Sequence, residues 1–155
     1  MGAMLSRFAH PGLIQWIGVR PARREPMTTL QTVALTENGL AGDRRQSPGK
    51  RAVSLLQAEH LPVINALAPE GAEPSDLRRN LLISGINLLS LRKVEFRIGG
   101  AILRGTGICA PCSRMEETLG PGGYNAVRGH GGITAEVVQP GTISIGDAVQ
   151  PITVL

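Results

Sequence analysis

Two runs of alternating apolar and polar residues, Val94-Glu95-Phe96-Arg97-Ile98 and Ala101-Ile102-Leu103-Arg104, flank the dipeptide Gly99-Gly100. Side chains alternate faces along a strand, so each run carries one apolar face. Two glycines between such runs supply the positive-φ turn of a tight antiparallel hairpin. This hairpin commits the middle of the chain to an antiparallel sheet. Its second strand leads directly into Cys109-Ala110-Pro111-Cys112, which holds both cysteines of the chain.

The rest of the sequence reads in the same short units. Leu13–Val19 and Thr29–Leu35 are expected strands, the second closed by Glu37-Asn38-Gly39. Gly39–Arg45 is a glycine-hinged loop, Arg51–Leu56 a short buried strand, and Gln57–Leu67 a helix with Pro62 in its first turn. A polar loop, Pro69–Asp76, precedes Leu77–Ile83, which runs into another strand. Ser113 is expected to cap a short helix ending at Leu119, with Glu116 completing a capping box. Gly120–Gly132 reads as a glycine-rich loop. Ile133–Val138, Thr142–Ile145 and Ala148–Val154 read as strands, with Gln139-Pro140-Gly141 and Gly146-Asp147 as turns between them.

With 20 glycines and 11 prolines in 155 residues and an aromatic fraction of 3%, the chain is built for many short elements and tight turns. Regularly spaced strands favour a mainly β fold, closed into a barrel that leaves no sheet edge exposed, with a few short helices. One domain over residues 13–155 is expected. Residues 1–12 form an N-terminal segment set apart from it, since the opening Met1-Gly2-Ala3-Met4 carries a second methionine and reads as a cloning remnant. The apolar stretch Leu13–Val19 is too short for a membrane span and lacks the marks of a secretory leader, so a cytoplasmic protein is expected, without membrane attachment. The charge of +4 is dispersed and has no interleaved aromatics, which argues against nucleic acid. Fourteen of the sixteen cations are arginines, Lys50 and Lys93 being the exceptions. Arginine suits bidentate binding of carboxylate or phosphate.

A C-x-x-C pair supports dithiol redox chemistry, half of a zinc site, or a nucleophile with a neighbour. Structural zinc needs further ligands, and His10, His60 and His130 lack ligand spacing. The thioredoxin-like arrangement needs a βαβ setting, whereas this pair follows a hairpin. Both cysteines could also be small buried hydrophobes. Against that, Cys112 precedes the expected helix, whose positive end and Arg114 suit a thiolate. Among polar clusters, Asp43-Arg44-Arg45 is a loop with one carboxylate and two guanidiniums. In Arg78-Arg79-Asn80, consecutive arginines must diverge, one toward a ligand anion or buried carboxylate and the other into water. Gly122-Gly123-Tyr124 and Gly129-His130-Gly131-Gly132 could bring backbone N–H groups to a phosphate.

The ordered series Gly39-Leu40-Ala41-Gly42-Asp43-Arg44, Arg79-Asn80-Leu81, Cys109-Ala110-Pro111-Cys112-Ser113-Arg114, Gly131-Gly132-Ile133 and Gly141–Asp147 resembles the MOSC family, named for the C-terminal domain of molybdenum cofactor sulfurase. The resemblance spans about Leu13 to Val154 and implies a β-barrel-like domain of the small stand-alone bacterial type. It implies binding of the molybdenum cofactor, with Cys112 as catalytic residue and metal ligand. By motif position, Asp43, Arg44, Arg45, Arg79, Asn80, Arg114 and His130 become expected cofactor contacts. The implied activity is an oxidoreductase's reduction of a small N-hydroxylated substrate, with electrons from a separate donor protein. The alternative is a sulfur carrier that takes persulfide sulfur onto Cys112 from a cysteine desulfurase. Pyridoxal phosphate would then belong to that partner, since only Lys50 and Lys93 could form a Schiff base here.

Overall fold

The computed structural model describes residues 2–152. A four-residue helix α1 (Gly2–Leu5) precedes strand β1 (Gly12–Val19). Then come β2 (Thr28–Thr29), β3 (Thr32–Thr36), β4 (Gly39–Leu40), β5 (Val53–Gln57) and helix α2 (Leu61–Leu67). β6 (Leu81–Ser84), β7 (Glu95–Ile98) and β8 (Ala101–Ile108) follow, then helices α3 (Arg114–Leu119) and α4 (Gly123–Val127). The chain ends with β9 (Ile133–Gln139), β10 (Gly141–Ser144) and β11 (Ala148–Pro151).

Seven strands close into a barrel in the order β11-β7-β8-β9-β5-β6-β1, and β1 pairs back onto β11. β2 extends the end of β1, while β10, β3 and β4 form a separate three-stranded ribbon packed on the barrel. The Gly99-Gly100 hairpin forms as the alternation demands, with Phe96 opposite Leu103 and Ile98 opposite Ala101. Gly99 takes the positive φ, +53°, and a Cβ there would press on Asp147 and the Thr142 carbonyl.

Alternation places Phe96, Ile98, Leu103, Ile133, Ala135 and Val149 inside the barrel, all fully buried. In β1, Ile14 and Ile17 both face this core although they are three residues apart. The register against β6 slips between Ile14 and Trp16, and the extra residue restores the apolar face. β5 and β6 pair in parallel and are apolar on both faces. Leu55, Leu81 and Ile83 point into the barrel, while Leu56 and Leu82 join Ile64, Leu77, Met115, Leu119 and Val127 beneath the helices. This second layer fastens α2, α3 and α4 to one side of the barrel. Each fully buried Leu or Ile in it contributes about 2 kcal/mol.

Several local expectations are corrected. Thr29–Leu35 is not one strand; the chain breaks between β2 and β3. Pro74–Leu77 in the expected polar loop forms a 3-10 turn, capped reciprocally by Glu73 and Asp76. Gly120–Gly132 contains α4. Ser113 already has helical dihedrals and makes no capping hydrogen bond, so the Ser113–Glu116 box does not form. Glu116 instead accepts N–H groups of Gly122 and Tyr124, joining α3 to the start of α4. These bonds hold its carboxyl below the ordinary carboxylate range. The expected strand Ala148–Val154 ends at Pro151, and its positions 153–154 lie outside the described residues.

Candidate functional site

At one mouth of the barrel, the ends of β1 and β8, the starts of β5, β6 and β9, and the loop after β4 converge on a cleft of about 420 Å³. That size suits a small-molecule ligand. Six arginines line it, Arg20, Arg45, Arg51, Arg78, Arg79 and Arg114, against one carboxylate, Asp43. Cys112 and Ser113 form part of its wall, with Cys109 and Ala110 beside them.

The cleft rests on a polar hub at Asn80. Its side-chain oxygen accepts the Ser54 N–H at 3.1 Å, and its amide donates to the Gly18 carbonyl at 3.2 Å and to Asp43 Oδ2 at 3.3 Å. Asp43 Oδ1 accepts the backbone N–H of Arg20 at 2.9 Å. Asn80, 7% exposed, thus ties three strands and the Asp43 loop together and has little capacity left for a ligand.

The two consecutive arginines do diverge. Arg79 is 6% exposed, and its guanidinium donates to the carbonyls of Gly131 (2.8 Å), Leu77 (3.0 Å), Cys109 (3.3 Å) and Ala110 (3.3 Å). It clamps the cysteine loop to the loop before β9, rather than reaching for an anion. Gly131 must be glycine, because a Cβ would collide with the Cys109 carbonyl and approach Arg79. The Cys109 N–H donates in turn to Gly132. Arg78 adopts a left-handed conformation, φ +59°, which turns it away from its neighbour. Its Nε and Nη2, and Nε of Arg20, are buried without any hydrogen-bond partner. Burial, then repulsion from Arg114, lowers the pKa of Arg78, while a Cys112 charge raises it; for Arg20, burial is again first, then repulsion from Arg78. Both side chains are only partly buried, and their unpartnered N–H groups are donors of the kind an anion satisfies.

Asp43, Arg45, Arg79, Asn80, Cys112 and Arg114 therefore meet at one cleft as expected. Arg44 is exposed and outside the lining, although its charge is felt by Arg20 and Arg78. His130 does not line the cleft either. Its ring meets His60 edge-on, centroids 5.3 Å apart, and its buried Nδ1 has no partner. The sequence singles out the Arg78–Asn80 cluster without giving Arg78 the cleft, and it offers no signal for Arg20 or Arg51. Arg20 ends an apolar strand immediately before a proline, and Arg78 was overshadowed by its neighbour; only the backbone turn at Arg78 separates their roles. Both cysteines are free, Cys109 buried and Cys112 exposed. Among the described residues no three His, Cys, Asp or Glu side chains converge on a metal position. No helix among the described residues is long and apolar enough to cross a membrane.

Fold and cleft together define a small β-barrel domain with an exposed thiol in the wall of an arginine-lined cleft. The chain belongs to the MOSC domain family, whose model matches residues 35–150. The family is associated with molybdenum cofactor binding. The barrel is similar to the YuaD protein of Bacillus subtilis, with TM-score 0.82 and 17% identity over 96% of this chain and 100% of that one. It is also similar to YiiM of Escherichia coli, with TM-score 0.72 and 19% identity over 92% of this chain and 71% of that one. YiiM of Geobacillus stearothermophilus gives TM-score 0.72 and 18% identity, over 92% and 76% of the two chains. No curated protein matches the sequence significantly.

Proposed function

We propose that the cleft binds the molybdenum cofactor with Cys112 as protein ligand to the metal, and that the protein reduces small N-hydroxylated compounds there. The observation that carries this reading is the exposed Cys112 in the wall of a cleft whose buried Arg20 and Arg78 N–H groups lack partners. The donor set fits the group. A soft thiolate suits a metal already bound to sulfur, and the free guanidinium N–H groups suit a phosphate.

When bound, the cofactor supplies two-electron redox chemistry to the substrate's N–O bond. The balance is N–OH + 2 e⁻ + 2 H⁺ → N–H + H₂O: the N–O bond breaks, the nitrogen is reduced, and the oxygen leaves as water. A separate redox protein provides the electrons and solvent the protons. This chain's residues do the positioning. Arg79 fixes the Cys109–Cys112 loop through the Cys109 and Ala110 carbonyls, setting the direction of the Cys112 sulfur. Asp43 and Asn80 hold the arginine-bearing loops at the mouth. Arg78 and Arg20 take the anionic group, and Arg45, Arg51 and Arg114 neutralise its outer face.

The exposed position of Cys112 also serves a second reading, a non-catalytic sulfur carrier loaded by a cysteine desulfurase. Metal analysis of protein made in a cofactor-producing host separates the two. Stoichiometric molybdenum, lost in Cys112→Ser and kept in Cys109→Ser, is expected. No molybdenum, together with a mass gain of one sulfur atom on Cys112 after incubation with desulfurase and cysteine, overturns the reductase reading in favour of the carrier.

A further inference from the structure

Around the mouth of the cleft, and partly in its wall, the charge is arranged with a one-sidedness that a small ligand does not require. Two loops form this part of the mouth, the one between β1 and β2 and the one between β4 and β5. They are joined where Arg20 N–H meets Asp43 Oδ1 and Arg44 N–H meets the Arg20 carbonyl at 2.7 Å. Together they expose Arg23, Arg24, Arg44, Arg45, Lys50 and Arg51. Their acidic residues are Glu25 and Asp43, and Asp43 is turned inward onto Arg20 and Asn80. The Lys50 backbone is tied beside the cleft wall, since its carbonyl accepts the hydroxyl of Thr106, which also meets Thr134 there. Arg23 and Lys50 do not line the cleft.

We propose that this basic rim is the docking surface for an acidic electron-donor protein, an inference that rests on the reductase reading. Six exposed cations against one outward carboxylate, Glu25, on two hydrogen-bonded loops give this rim a net positive field, which salt screens. Such a patch steers an oppositely charged protein and orients it, and here it orients the partner over the mouth that leads to Cys112. A nucleic acid fits less well, since neither loop contains an aromatic residue on which a base could stack.

The test uses cofactor-loaded protein, a reduced acidic [2Fe–2S] ferredoxin as probe, and Arg23→Glu/Lys50→Glu as the variant. Ferredoxin binding to the parent, measured by titration calorimetry, is expected to weaken at least tenfold between about 20 mM and about 300 mM salt. The double variant should bind about tenfold more weakly at low salt and converge with the parent at high salt. Reduction of an amidoxime by dithionite-reduced methyl viologen, two viologen radicals supplying the two electrons, should be the same in both. Equal affinities of parent and variant, or salt-independent binding, overturn the docking surface. Tighter binding of a single-stranded oligonucleotide that displaces ferredoxin also overturns it. Absence of viologen-driven turnover instead overturns the reductase reading, whatever the titration gives.

Discussion

Replacing Arg79 with lysine keeps one positive charge at the site and removes the fork that spans four carbonyls. In the parent, the guanidinium reaches Gly131, Leu77, Cys109 and Ala110 from a position 6% exposed. An ammonium at the end of a flexible stem can satisfy one or two of these oxygens and leaves the others buried without a donor. At about 1 kcal/mol net for each hydrogen bond lost, the two or three lost bonds cost roughly 2–3 kcal/mol. For a domain of this size each kcal/mol moves the melting temperature by about 2–4 °C, so Tm should fall by about 8 °C. The loosened loop should also admit thiol reagent to Cys109. Far-UV circular dichroism melts and thiol titration under native conditions measure the two effects. A Tm within about 2 °C of the parent, with Cys109 still unreactive, would show that the loop is held by packing and not by this clamp.

Arg78→Ala has the opposite profile. It removes two buried N–H groups without partners and one repelling charge, so Tm should be unchanged or rise, by up to about 1 kcal/mol equivalent, while phosphate binding followed by calorimetry weakens at least tenfold. Iodoacetamide under native conditions should label Cys112 alone, with Cys109 labelled only after denaturation, as read by peptide mass mapping. Glu116→Gln should lower Tm at pH 7 and lose its effect in acid. Because the folded-state pKa of Glu116 lies below its unfolded value, its contribution is present above the ordinary carboxylate range and lost as pH falls through the folded pKa. Melts across that range should therefore show the gap between parent and variant closing from above. Gly132→Ala places a Cβ at φ +85° against the Leu55 carbonyl and should cost about 3 kcal/mol or more, measured by denaturant unfolding.

The barrel was legible because its strands alternate cleanly. The hairpin at Gly99-Gly100 could be assigned from pattern alone, and its second strand carried the reading to the cysteines. What escaped was set by contacts distant in sequence. The Ser113–Glu116 spacing is that of a capping box, yet Glu116 found the unpaired N–H groups of Gly122 and Tyr124, which no local pattern weighs. The break between β2 and β3 has the same cause: β2 pairs with the end of β1 while β3 pairs with β10, so one β-prone run serves two sheets. Motif order names Asp43, Asn80 and Cys112, which line the cleft, but it does not divide roles between adjacent arginines. That division depends on one backbone dihedral. His130 illustrates the converse, since a histidine in a glycine-rich segment suggests a ligand and the fold sets it edge-on against His60.

The left-handed turn at Arg78 is therefore the hinge on which the site depends. A non-glycine residue in this conformation costs about 1 kcal/mol or more and persists only where its surroundings enforce it. Here Arg79 and Asn80 enforce it from one side, each committed through its side chain to several backbone groups, and the 3-10 turn ending at Leu77 enforces it from the other. In an extended strand, residues 78 and 79 would point to opposite faces with their backbone still in the sheet. The left-handed turn instead ends the pairing just before β6 and sends Arg78 into the cleft. Three consecutive residues thus do three things: Arg78 keeps unpartnered N–H groups in the cleft, Arg79 holds the cysteine loop, and Asn80 holds the Asp43 loop. The unpaired guanidinium of Arg78 is stabilised by none of the fold's own bonds, yet the bonds of its two neighbours fix its position. That is the arrangement expected of a residue whose partner is a ligand.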